Sequence, residues 1–303
     1  MKNKNRVILL FLLLSFYSTF SQRPENRKEI VLSESEFKTI GKTPAILKEA
    51  SGLYIDENGT FWSHNDDRYP ILYNFDSAGI VKKVVHLNHT NIGWEGITSD
   101  RAGNMYIAGI GNNKNDRKDL AIIKIKPLNA ITEKVTQGQL IHFSYSDQTE
   151  YPPPSSKKNF DSDALIAWGD TLLIFTKNRT NPNTGYSHIY QLSQQPGNYI
   201  AMLIDSVFTG QGSLMENWVT DAALSPDMKM LALLGHDKIW IITDFENRPF
   251  SQGKITLLRL PHVTHKAGLA FSGNSSIYVV DEKEFDILGG NIYKLDLNPL
   301  NIK

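Results

Sequence analysis

Apolar residues in this chain come in short runs that break off at a turn or a burst of polar residues. The stretch 49–66, EASGLYIDENGTFWSHND, has a polar lead-in, a small residue, an apolar run, a turn, a second apolar run and a polar burst. The same order returns at 93–113, 160–179, 219–237 and 265–283. Ile, Leu, Val, Tyr and Phe fill the runs and predict strands. Glu57-Asn58-Gly59, Ala102-Gly103-Asn104, Gly169-Asp170, Pro226-Asp227 and Gly273-Asn274 supply the turns between them.

A third apolar run follows each burst: PILYNFD, LAIIKIKP, SHIYQLS, KIWIITD and NIYKLDL. A fourth follows in the first four repeats: IVKKVVHL, QLIHFSY, AMLIDSVFT and KITLLRLP. Four short antiparallel strands per repeat predict an all-β fold, a single β-propeller domain over residues 22–303. Five blades are expected, with six as the alternative count. The fifth repeat ends after three strands, and EIVLSESEFKTIG (29–41) is expected to supply the missing outer one. Pairing the two ends of the chain in this way closes the ring and removes its open edge. Gly52, Gly96, Ala164, Ala222 and Gly268 are the equivalent small positions, and SDQTEYPPPSSKKN (146–159) reads as an exposed insertion.

The first residues fall outside this pattern. MKNKNR, then VILLFLLLSF, then small residues before Gln22 form a signal peptide over 1–21, too short in its apolar part for a comfortable membrane span. Its removal takes three basic residues and no acid from a neutral chain, leaving a net charge of −3. There is no cysteine, which excludes disulfides, thiolate chemistry, cysteine–zinc sites and a lipidated anchor. A soluble periplasmic or secreted bacterial protein is expected, monomeric and without a membrane span after cleavage. No basic run with interleaved aromatics points to nucleic acid.

In a propeller blade, the loop into the first strand and the loop out of the second share one face. Here both are the polar ones, so a ring of polar groups is expected around one channel mouth, where loops carry function. The candidates for binding are Glu49, Asp66, Trp94, Glu95, Asn112, Asp163, Lys177, Arg179, Asp221, Asp281 and Glu282. Glu49, Glu95, Asp221 and Asp281 are candidate oxygen ligands for one calcium-like divalent cation, and His64 or His236 the candidate proton carrier. Trp94 also suits a plug between blades. Carboxylates at such positions equally cap backbone N–H groups of a neighbouring blade with no ligand involved.

The segments WEGI, YIAGIGNNKNDR, DSDAL, LLIFTKNR, VTDAALSPDMKMLAL and AGLAFSGNSSIYVVDE resemble exported bacterial β-propellers related to the SdiA-regulated and phytase-esterase-like groups. That resemblance runs through nearly all of 45–298 and implies the fold more than an activity. A looser similarity is to gluconolactonase-type propellers, in which a glutamate, an asparagine and an aspartate hold one divalent cation for lactone hydrolysis. Glu49 and Asp281 stand near the places of the glutamate and the aspartate, whereas Asp221 replaces the asparagine, and those propellers have six blades.

No G-x-S-x-G elbow, P-loop, H-E-x-x-H or EF-hand loop occurs. Three functions follow from the sequence. The first is a module binding a small molecule, glycan or protein at the mouth without catalysis. The alternatives are a divalent-metal-dependent hydrolase of a lactone or phosphate ester, and a scaffold with a merely capped mouth.

Overall fold

The computed structural model describes residues 27–284 and 288–302, and the expected signal peptide at 1–21 lies outside them. Among the described residues the chain is all-β, with short 3₁₀ turns and no α-helix.

Aspartate-led turns show how the sequence sets the strand breaks. Asp56 accepts hydrogen bonds from the amides of Asn58 and Thr60, both at 3.0 Å, and from Trp62 Nε1 at 3.0 Å. Asp100 does the same in the next repeat, for the amides of Ala102 and Asn104 at 2.9 Å and for the Tyr106 hydroxyl at 2.9 Å. Gly59 and Gly103, at φ of 74° and 82°, complete these turns in the left-handed region that favours glycine.

Two strands, β1 (Lys28–Val31) and β2 (Phe37–Lys42), precede the repeats. The first unit is β3 (Ala50–Ile55), β4 (Phe61–Asn65), β5 (Ile71–Phe75) and β6 (Val81–Leu87). The second is β7 (Ile97–Ser99), β8 (Met105–Gly109) and β9 (Ala121–Ile125), then, after the short β10 (Val135–Thr136), β11 (Gln139–Tyr145). The third is β12 (Asp161–Trp168), β13 (Thr171–Lys177), β14 (Tyr186–Ser193) and β15 (Gly197–Phe208). The fourth is β16 (Asp221–Leu224), β17 (Leu231–Leu234), β18 (Lys238–Thr243) and β19 (Lys254–Arg259). The fifth has β20 (Lys266–Ser272) and β21 (Ser276–Asp281), a small hairpin β22 (Lys283–Glu284) and β23 (Leu288–Gly289), and β24 (Asn291–Asp296).

Within each unit successive strands pair antiparallel, and β2 pairs antiparallel with β24, Phe37 opposite Leu295. Parallel pairs add β1 to β19, β10 to β6, and β11 to β15. Outer strands such as β11 alternate buried and exposed residues, as expected of a sheet with one wet face.

Apolar side chains pack between units in five clusters. One joins the third and fourth units, through Ile166, Phe175, Leu231 and Trp240. Another joins the fourth and fifth, through Ile241, Leu269, Val279 and Tyr293, and takes in Phe37. Others join the second and third and the first and second. The last joins the fifth to the first, through Val280, Ile292, Phe61 and Phe75.

The innermost strands β3, β7, β12, β16 and β20 touch in that order, and β20 touches β3. The small residues are where this contact is tightest. A Cβ at Gly52 would sit 2.8 Å from the Ile97 amide, and one at Gly96 would sit 2.7 Å from the Asp163 carbonyl. One at Gly268 would lie 3.1 Å from the backbone of Gly52.

Candidate functional site

Strand pairing brings the polar bursts to one face. Inner strands begin there with Ala50, Asp161, Asp221 and Lys266, and second strands end there with Asn65, Lys177 and Asp281. Asp161 stands opposite Lys177, and Lys266 opposite Asp281. The register of β3, β12 and β20 shifts just inside this face, and in β12 the extra residue is Asp163. Such bulges re-aim a side chain at the end of a strand.

Most carboxylates of the ring are already engaged. Asp221 accepts from the Ala222 amide at 2.8 Å and from the Leu269 amide at 2.7 Å, which ties the fourth unit to the fifth. Burial holds Asp221 well above the usual carboxylate range, and these two amides offset only part of that shift. Asp281 accepts from the Asn291 amide at 2.5 Å and from the Tyr293 hydroxyl at 2.7 Å. Asp161 accepts from the Asn112 amide at 2.6 Å and from Arg179 Nε at 2.5 Å.

Asn112 is itself buried, its side-chain carbonyl taking the amides of Asp116 and Arg117 at 3.0 Å. Lys177 pairs with Asp163. Burial alone would lower the Lys177 ammonium, but Asp163, Asp161 and Glu95 hold it above its ordinary range. The Arg179 guanidinium stacks 4.1 Å over Trp218. Lys266 is fully buried, donates to the carbonyls of His236 and His262, and is lowered to about 8 by that burial.

One sector differs. Glu49, Asp66 and Asp67 each bring a carboxylate oxygen within 4.8 Å of the others. Arg68 answers them only weakly, 3.7 Å from Glu49 and 3.2 Å from Asp67, and is itself exposed. Asp66 Oδ1 is buried and has no hydrogen-bond partner. Burial, then the charges of Glu282 and Glu49, push the Asp66 carboxyl up to about 7. Burial, then Asp67, raises Glu49 as well. At the edge of the sector His265 Nδ1 lies 3.1 Å from Glu282, and that bond raises the imidazole. Glu95 is raised well above its usual range by burial and then by Asp163.

Several expectations are corrected by this geometry. The four expected cation ligands do not share a centre: Asp221 and Asp281 face backbone and side-chain donors of their own surroundings, and Glu95 sits with Asp163 and Lys177. Among the described residues the carboxylates that do gather are Glu49, Asp66 and Asp67, so Asp66 and Asp67 stand beside Glu49 in place of Glu95, Asp221 and Asp281. The donor set expected from the gluconolactonase likeness therefore does not fit one cation here.

His64 is fully buried beneath the mouth, edge-on to Trp94 at 5.5 Å, and burial lowers it to about 4. His236 stands edge-on to His265 at 5.0 Å, and burial, then His265, lowers it to about 3. Both are neutral imidazoles near pH 7. Trp94 is 1% exposed in the core between the first and second units, with Trp62, Leu72 and Ile97, and presents no face for a ligand.

No protein-family model matches the chain, and no curated protein matches it. Similar solved structures include the PQQ-bound aldose sugar dehydrogenase of Streptomyces coelicolor, at 12% identity and TM-score 0.48, over 86% of this chain and 96% of that one. A gluconolactonase of Xanthomonas campestris is 11% identical with TM-score 0.42, over 86% of this chain and 89% of that one. Virginiamycin B lyase of Staphylococcus aureus is 14% identical with TM-score 0.40, over 82% and 67%. Likenesses this distant carry no argument about activity or substrate.

Proposed function

We propose that the five units are the blades of one closed propeller, exported from a bacterial cell, that binds a polar ligand at the Glu49–Asp66–Asp67 sector without catalysis. Closure by β2, the shared clusters and the cyclic contact of the inner strands support the architecture. The observation that carries the function is the contrast around the ring. Asp161, Asp221 and Asp281 have donors for both oxygens, whereas the carboxylates of this sector crowd one another and leave a buried oxygen of Asp66 without a donor. A buried acceptor left unmade costs about 1–3 kcal/mol, and a ligand that donates into it recovers that cost. Hydroxyl or ammonium groups of a small molecule, glycan or protein chain are the matching chemistry, whereas the phosphates of nucleic acid or of a lipid surface would meet like charge at these carboxylates.

A thermal melt of residues 22–303 after chelation, with sugars, polyols, primary amines, calcium, magnesium, manganese or zinc added singly, tests this reading. The expected result is a saturable rise with a hydroxyl- or ammonium-bearing compound that disappears in Asp66→Asn. A rise confined to one metal and lost in Glu49→Gln would replace the reading with metal-dependent hydrolysis of a lactone or phosphate ester. No rise with any compound would leave the propeller as a scaffold with a capped mouth.

A further inference from the structure

At the other end of the inner strands lies a cavity of about 330 Å³. The polar mouth is built where these strands begin, whereas the cavity is lined by residues 53–55, 97–99, 222–224 and 269–271 and by the turns that follow them, so it opens on the opposite face. Leu53, Ile97, Ala222, Leu224 and Leu269 form its walls. The Asp221–Leu269 hydrogen bond joins two inner strands beside the lining residues Ala222 and Leu269, and Asp221 is on the mouth side of Ala222. Each inner strand is the end member of its sheet, so one backbone edge of each has no sheet partner.

Only two lining residues carry charge, Asp100 and Arg101. The Asp100 carboxylate is fully occupied by its own turn, accepting from Ala102, Asn104 and Tyr106. Arg101 is exposed at the rim, and its hydrogen bond runs to the sulfur of Met228, a weak acceptor. Among the described residues no carboxylate lies within ion-pair distance of Arg101. A chamber walled by apolar side chains together with the free backbone edges of the inner strands, with one unanswered guanidinium at its rim, suits a small anion whose body is partly apolar. A planar carboxylate matches the guanidinium fork with two parallel hydrogen bonds. The volume is near the lower end of the ~300–1,000 Å³ common for ligand sites, which limits the body to a small one.

We propose that this cavity is a second binding site, which takes a small carboxylic acid with an apolar body, its carboxylate on Arg101 and its body against Leu53, Ile97, Leu224 and Leu269. The site is independent of the reading of the mouth, because none of its lining residues belongs to the Glu49–Asp66–Asp67 sector.

Titration of octanoate and benzoate against their neutral amides, octanamide and benzamide, followed by ligand-observed NMR, tests the proposal. The acids are expected to bind at least ~10-fold more tightly than the amides, the difference that a charge-assisted bidentate contact supplies. Arg101→Gln should abolish that preference while leaving amide binding and the melting midpoint unchanged, since the side chain is exposed. Asp66→Asn should leave the affinities for the acids and for the amides unchanged. Acids that fail to bind, acids and amides that bind alike, or a preference that survives Arg101→Gln or is lost in Asp66→Asn would each overturn the site.

Discussion

Replacing Asp66 by Asn removes a titrating carboxyl from the crowded sector while keeping its shape. In the folded chain that carboxyl is pushed from its ordinary 3.8 to about 7, by burial and then by Glu282 and Glu49. Its folded value lies above its unfolded one, so the folded chain holds the extra proton between these values. Stability is therefore lost as pH rises through that window. A shift of this size is worth about 4 kcal/mol at full strength. Asp66 is only half-buried, and solvent screening reduces the effect to roughly 1–2 kcal/mol.

The Asn variant should thus be more stable than the parent by roughly 1–2 kcal/mol at about pH 8, and should lose that advantage at about pH 4. Urea unfolding followed by tryptophan fluorescence at several pH values reads the difference directly. A variant that is less stable than the parent at the higher pH would show that the Asp66 carboxylate already has a donor. The contrast between this sector and the rest of the mouth would then be gone.

Three further substitutions probe the frame around the site. Phe37→Ala removes a fully buried ring stacked 4.7 Å from Tyr293, and should cost about 3–5 kcal/mol in denaturant unfolding if β2 is integral to the last unit. A loss below about 1 kcal/mol would mean that β2 is an appendage, since isolated surface changes have effects of that size. Asp221→Asn should destabilise by about 1–3 kcal/mol, because an amide presents a donor to one of two backbone donors that now share the carboxylate. A neutral result there would mean that the carboxylate is not a structural tie. Gly96→Ala drives a Cβ to 2.7 Å from the Asp163 carbonyl and should cost about 1–3 kcal/mol, read as a lowered melting midpoint.

The repeating strands were legible because each residue run reports its own burial. The alternation of apolar runs with Asn, Gly and Asp turns marks every unit, and the aligned small residues Gly52, Gly96 and Gly268 sit where neighbouring inner strands come too close for a side chain. The face carrying the polar bursts was legible for the same reason. What each carboxylate does there was not. Asp221 and Asp66 look alike in sequence, both acidic and both beside an apolar strand, yet one meets two amides from separate units and the other meets further carboxylates.

Partners that come from distant repeats leave no local trace. His64 stands as a candidate proton carrier because it belongs to a polar burst, but it is still paired within β4, opposite Ser51, and its ring turns under the mouth against Trp94. Asp67 has its only trace in the sequence in the acidic doublet of SHNDDR, where it follows Asp66. The cavity on the far face had no signature, because its walls are drawn from all five repeats, each contributing only a short stretch.

The most direct test of the mouth reading is isothermal titration of the compound that most raises the melting midpoint, into the parent chain and into a Glu49→Gln, Asp66→Asn double variant at about pH 8, above the value of about 7 to which Asp66 is pushed. One site per chain in the parent and at least ~10-fold weaker binding in the double variant is the predicted result. Equal affinity in both proteins would contradict it, and would move the binding site away from Glu49 and Asp66.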